Sequence, residues 1–265
     1  MGIISLLFLT LWAILLNHFQ NSVQAGEIGG NFQSIASVLL TQMGLQFSSM
    51  LLSLITIMLG AGVIASELDT GMIQAIVTRP IRRFDYVLGK FAGLCIFVIA
   101  AASILFFALL AIGAYFSLGT VAALSLSQIL SSWLLYLLVP IILLCVTIYG
   151  SVSLKTVPCG LLMIAIYILG SIGGMVEMIG GFINNSAVTS AGVFLSLVSP
   201  FNILYSTAER FLIPATDIAG EMMRGAGGLA GSGRPPSVWM FVYIGVYSLS
   251  FVAFAVRRFQ KMDIT

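Results

Sequence analysis

The chain has 265 residues, of which 60% are hydrophobic and 8% charged, and a formal net charge of +2. A soluble domain carries roughly 25% charged residues, so this composition excludes a surface wetted on all sides and makes lipid the main solvent. The apolar runs are continuous and do not alternate with period two, which excludes a membrane β-barrel and predicts an all-α integral membrane protein.

A helix needs roughly 20 apolar residues to cross the hydrocarbon core. The runs predict about six transmembrane helices in a single domain over residues 1–265, with spans near 3–18, 35–64, 86–116, 128–154, 157–182 and 238–256. The first run, Ile3–Leu16, is short for a span unless its neighbours contribute. With Val23-Gln24-Ala25 after it, it has the outline of a signal peptide and a small-residue cleavage site. The lack of Lys or Arg at its start and the long polar stretch before Ala25 argue instead for a first span. Cleavage near Ala25 and a further segment before Ile3 both stay open.

Basic residues mark the cytoplasmic side of a membrane protein. Arg79, Arg82, Arg83, Lys90, Lys155, Arg257, Arg258 and Lys261 fall on one side if six helices alternate, and Arg210, Arg224 and Arg234 on the other. This asymmetry places both termini in the cytoplasm, in the cell membrane, and puts residues 183–237 outside. Within that outer segment, Val193–Val198 is apolar and Ser199-Pro200-Phe201-Asn202 reads as a turn or helix start. Ile203–Met223 mixes apolar and charged positions. The segment is expected to form short amphipathic or re-entrant helices at the outer interface, and the Gly-rich stretch before Pro235 and Pro236 to return the chain to the last span.

The stretch 65–85 carries the most information. Ser66-Glu67-Leu68-Asp69 fits a capping box, with Ser66 as N-cap and Asp69 reaching back. A short surface helix is expected from Ser66 to about Val77, ended before Pro80 and held at the anionic inner leaflet by Arg79, Arg82 and Arg83. Such a helix is a natural surface for a soluble partner. The residues Glu67, Gly71, Arg79-Pro80-Ile81, Arg83, Tyr86 and Leu88-Gly89-Lys90 together resemble the pattern of the type-2 ABC permease family. The resemblance implies a coupling helix that docks on a cytoplasmic ABC ATPase, with Ser66, Glu67, Asp69, Gly71, Gln74, Arg79, Pro80 and Arg83 at that interface. It also implies a working unit of two permeases, as a homodimer or with a paralogue, and outward transport driven by ATP hydrolysis. No G-x-x-x-x-G-K-[ST] occurs in the chain, so ATP and Mg are expected on the partner ATPase. No catalytic residue, cofactor, metal site or nucleic-acid partner is expected in the chain itself. Family members usually open with a basic amphipathic helix, whereas here the first run begins at Ile3.

Gln42, Gln46, Ser49, Ser53, Thr56 and Gly60 recur at spacings of 4, 3, 4, 3 and 4, so they share one helix face. Such a face avoids lipid and is expected either to pack against other helices or to line the translocation path. Glu177 is expected near the outer end of the fifth span, Pro140 to kink the fourth, and Pro158 to sit in the first turn of the fifth. Gly89-x-x-x-Gly93 and Gly170-x-x-x-Gly174 permit close helix approach. Cys95, Cys145 and Cys159 have no metal-ligand spacing and read as packing residues. A membrane-embedded enzyme is disfavoured by the lack of facing acids, bases or His pairs. The alternative transport reading is an ATPase-independent secondary transporter or channel, which would need an ionisable residue near the midplane; Glu177 is the only candidate and lies off-centre. The cargo leans toward an amphipathic or hydrophobic molecule.

Overall fold

A computed structural model describes residues 2–24, 30–70, 83–116, 124–183, 185–212 and 238–260. These residues form helices α1 (Gly2–Gln24), α2 (Gly30–Asp69), α3 (Arg83–Tyr115), α4 (Leu126–Ser153), α5 (Thr156–Ile183), α6 (Ser186–Val198), α7 (Phe201–Leu212) and α8 (Val238–Gln260). Six of them, α1 to α5 and α8, are long and apolar enough to cross a membrane. The protein is an all-α, multi-pass membrane protein.

Helix α1 is longer than its apolar run, because Asn17 to Gln24 continue the helix past Leu16. Its candidate span therefore covers Gly2–Val23. Helix α4 starts at a capping box in which the Ser125 side chain accepts from Gln128 N–H and the Gln128 side chain accepts from Ser125 N–H. It continues as one helix through the buried Pro140. Pro158 lies in the first turn of α5, where its missing N–H leaves no helical bond unmade.

Helix α4 is the centre of the bundle and packs against α2, α3, α5, α7 and α8. Its facing side chains Tyr136, Ile142, Leu143, Leu144 and Ile148 are fully buried. At one end of the bundle Ile64, Val87, Leu144, Ile148, Val152, Ala255, Val256 and Phe259 form a separate apolar cluster. This end gathers the last turns of α2, α4 and α8 and the first turns of α3. Arg83, Lys90, Lys155, Arg257 and Arg258 lie on the helices and the connection that meet here; Arg79, Arg82 and Lys261 fall outside the described residues. In water-excluded helix bundles small residues set how closely backbones approach, and the two glycine pairs behave differently. A Cβ on Gly89 or Gly93 would meet nothing within 4 Å. Gly170, Gly173, Gly174 and Gly180 on α5 instead lie hard against α6, the turn after it and the start of α7.

Residues 185–212 form a bent pair of helices. Helices α6 and α7 meet at a bend of 102°, and the turn residue Ser199 packs on Gly170. Gly170 lies 14 residues after Thr156, the start of the 28-residue α5. At about 1.5 Å per residue the turn reaches roughly half-way down that helix. Helix α6 runs along α5 and α7 along α4, an arrangement that fits either a re-entrant loop or a broken span. Three contacts hold the hairpin down. The Ser132 hydroxyl donates to the Ala208 carbonyl at 2.7 Å. The Tyr243 hydroxyl of α8 donates to the Leu197 carbonyl at 2.7 Å. Phe201 packs on Tyr167 with ring centroids 6.4 Å apart.

Candidate functional site

Two groups of residues carry the site: the basic end of the bundle, and the polar face of α2. At the basic end, α2 does not stop at Ala65. It continues to Asp69, so Ser66 is not an N-cap and the capping box with Asp69 does not form. The Ser66 hydroxyl instead donates back to the Gly62 carbonyl, and the Ser66 carbonyl accepts from Thr70 N–H at 3.0 Å. The reason lies in the lateral support that this part of α2 receives from α4. Ser151 of α4, fully buried, accepts from the N–H groups of Ile64 and Ala65 at 3.1 and 3.0 Å and donates to the Ala61 carbonyl at 3.0 Å. One hydroxyl thereby clamps α2 to α4 just before Ser66.

Glu67 is held from the opposite side of the 71–82 connection. Its carboxylate accepts from the Tyr86 hydroxyl and pairs with Lys90 Nζ at 2.5 Å. Lys90 also stands 5.8 Å from the centre of the Tyr86 ring. That ring stacks on Phe259 of α8 at 5.6 Å and 20°. The ends of α2, α3 and α8 are therefore joined through one carboxylate and two rings. Asp85 sits in the first turn of α3, where its charge favours the helix N-terminus. Of the expected interface residues, Ser66 and Glu67 are brought to this end, and Asp69 and Arg83 lie on the helix ends that flank the connection. Gly71, Gln74, Arg79 and Pro80 lie outside the described residues.

The polar face of α2 turns mostly inward. Gln42, Ser49, Ser53 and Thr56 are buried, and Gln46 is exposed. Gly60 lies against Thr147 and Leu144 of α4, where a Cβ would come within 2.8 Å of Thr147. The Thr56 hydroxyl donates to its own helix at Leu52. Next to the stripe, Ser48 shares a 2.9 Å hydrogen bond with Tyr136 of α4. Gln46 and Ser49 line a small cavity with Tyr167, Ser171, Asn202 and Tyr205, about 10 Å³ in volume, which is room for about one water. The hairpin closes this cavity from above. Both polar atoms of the Gln42 side chain are buried without a hydrogen-bond partner.

The family model described as "ABC-2 family transporter protein" matches residues 1–264. The chain belongs to that family. No curated protein and no solved structure matches it. The ABC-2 assignment agrees with the resemblance carried by Glu67, Gly71, Arg79-Pro80-Ile81, Arg83 and Gly89-Lys90, and identifies the chain as an ABC permease.

Several features of this ABC-2 protein had weak signals in its sequence. Tyr86 and Lys90 belong to the motif, yet nothing in their spacing tells that they close on Glu67. Ser151 follows Thr147 by one helical turn, but nothing in that spacing tells that Ser151 bonds the backbone of α2. Glu209 lies in the mixed Ile203–Met223 stretch, and the structure buries it at 4% exposure with Tyr205 donating to its carboxyl. Glu177 is half-buried, and its backbone is the surface on which Gly192 of α6 rests. Cys145 and Cys159 are buried and Cys95 half-buried, all as free thiols. Among the described residues no three His, Cys, Asp or Glu side chains stand close enough to hold a metal ion.

Proposed function

We propose that this ABC-2 protein is the permease subunit of an exporter in the cell membrane, driven by a separate cytoplasmic ATPase that binds ATP and Mg. The basic end of the bundle faces the cytoplasm, as do both termini, and the segment 65–85 docks on the ATPase. A second permease, identical or a paralogue, completes the unit, and catalysis of ATP hydrolysis resides wholly on the partner. The observation that carries this reading is the junction at Glu67. A coupling element must pass a partner's motion to the spans as a unit, and Glu67, Tyr86, Lys90 and Phe259 tie the ends of three helices together beside that segment.

The test is copurification of ATPase activity with the tagged permease from membranes. Glu67→Arg sets a second cationic group against Lys90, and is expected to lower the copurifying ATPase at least tenfold. The double swap Glu67→Lys with Lys90→Glu rebuilds the internal pair and is expected to restore it. If the wild type brings down no ATPase, the coupling reading is lost. If the swap stays as defective as Glu67→Arg, Glu67 acts on the ATPase directly and not through the junction.

The polar face of α2, Gln42, Gln46, Ser49, Ser53 and Thr56, is proposed as the wall of the translocation path in a state where the hairpin has moved aside. The buried, unpaired Gln42 amide supports this reading, because such a group is costly unless it is needed in another state. Gln42→Leu is therefore expected to raise the thermal stability of the purified permease by about 1 kcal/mol while transport falls severalfold. Unchanged transport would remove Gln42 from the path.

A further inference from the structure

Glu209 is a buried carboxyl that the permease reading does not use. It lies on the α7 arm of the hairpin, 4% exposed. The Tyr205 hydroxyl donates to its Oε1 and stands 3.4 Å from the Gln42 backbone carbonyl oxygen. One phenol carries one proton, so these two acceptors compete for it. With Glu209 ionised, the Tyr205 proton is held by the carboxylate, and the link from α7 to α2 is lost. With Glu209 protonated, its own O–H can donate to the Tyr205 oxygen, and Tyr205 then donates to Gln42. Only the neutral carboxyl completes a chain of hydrogen bonds from the hairpin to the bundle.

The surroundings favour the neutral form. The described titratable groups that face this region are Tyr136 on α4, Tyr167 on α5, and Tyr205 and Arg210 on α7 itself. Helix α6 carries no titratable side chain, and α2 offers amides and hydroxyls here. Arg210 follows Glu209 directly, which turns it about 100° around the helix. At 4% exposure the Glu209 carboxyl is held away from water, which disfavours its charged form.

We propose that Glu209 is a proton-binding site whose occupancy holds the α6–α7 hairpin in its docked position. The sign follows from linkage. The docked carboxyl binds its proton more tightly than the same group exposed to water. Docking is strongest below the ordinary carboxylate range, where both states are neutral. It weakens by up to about tenfold per pH unit as pH rises above that range, and is weakest once the docked group has also lost its proton.

The test is a distance measurement between spin labels at Ser190→Cys on α6 and Leu130→Cys on α4, both exposed positions. The full-length chain is used in lipid nanodiscs, with Cys95, Cys145 and Cys159 replaced by alanine. Between about pH 5 and pH 9 a single docked distance is expected to give way to a longer one, at least tenfold in population ratio. Glu209→Gln is expected to keep the docked distance throughout. Tyr205→Phe removes the bridge from the carboxyl to the Gln42 carbonyl, so its docked population at low pH is expected to fall at least tenfold below the parent's. A distance that ignores pH in the parent, a Glu209→Gln variant that titrates like the parent, or a Tyr205→Phe variant as fully docked at low pH as the parent would each overturn the assignment.

Discussion

Gly192→Leu is expected to detach the α6–α7 hairpin and to destabilise the permease by about 3 kcal/mol, the upper end of the range for overpacking. A Cβ at this position would come within 2.5 Å of the Glu177 backbone nitrogen and 2.7 Å of its Cα. Both are backbone atoms of α5, so no rotamer change relieves the overlap. Helix α6 must lift away, and the lift is opposed along its length because the two helices are in close contact elsewhere: a Cβ on Gly180 would come within 2.6 Å of the Thr189 backbone nitrogen and one on Gly173 within 2.9 Å of the Leu195 side chain. Thermal unfolding followed by tryptophan fluorescence reads the loss. Gly89→Leu and Gly93→Leu are the controls, since their Cβ positions are open, and neither should lower the midpoint of the isolated chain. An unchanged midpoint for Gly192→Leu would contradict the close docking of α6 on α5.

Ser151→Ala is expected to be the second most damaging single change, at about 3 kcal/mol. Three hydrogen bonds converge on the Ser151 hydroxyl in a site with no solvent access, and each contributes about 1 kcal/mol net. The volume change is one oxygen, so cavity formation adds little. The loss falls on residues 61–65 of α2, directly before Ser66 and Glu67. Amide hydrogen exchange over α2 should therefore accelerate at its Glu67 end, and copurifying ATPase should fall severalfold without any change in the 71–82 connection. Thr56→Val is the matched control. Its hydroxyl is equally buried but bonds only to its own helix at Leu52, and it should lose under about 1 kcal/mol. Equal exchange in Ser151→Ala and the parent would show that the clamp does not support the end of α2.

How far the site was legible depends on whether the relevant interaction is local. The capping box shows this within one protein. Ser66-x-x-Asp69 and Ser125-x-x-Gln128 offer similar signals, yet only the second forms. Ser125 follows the non-helical Leu124 and begins a new helix. Ser66 follows an unbroken helix that Ser151 holds in place from another span, and that tertiary support overrides the local stop. The glycine pairs make the same point. Gly89 with Gly93 and Gly170 with Gly174 have one spacing, but only the second meets a neighbour, because the hairpin that fills its groove comes from later in the chain.

The sequence by itself determined the solvent, the helical class, the number of long apolar spans, the clustering of basic residues at one end and the family. Each follows from composition or from residues close together along the chain, where hydrophobicity and charge act without regard to the rest of the fold. Tertiary structure alone decided the depth of the hairpin, the junction of Glu67 with Tyr86, Lys90 and Phe259, the clamp by Ser151 and the burial of Glu209. Those depend on which helix faces which, and in lipid that choice is made by close packing and hydrogen bonds between distant segments, because hydrophobicity is the same on every apolar face.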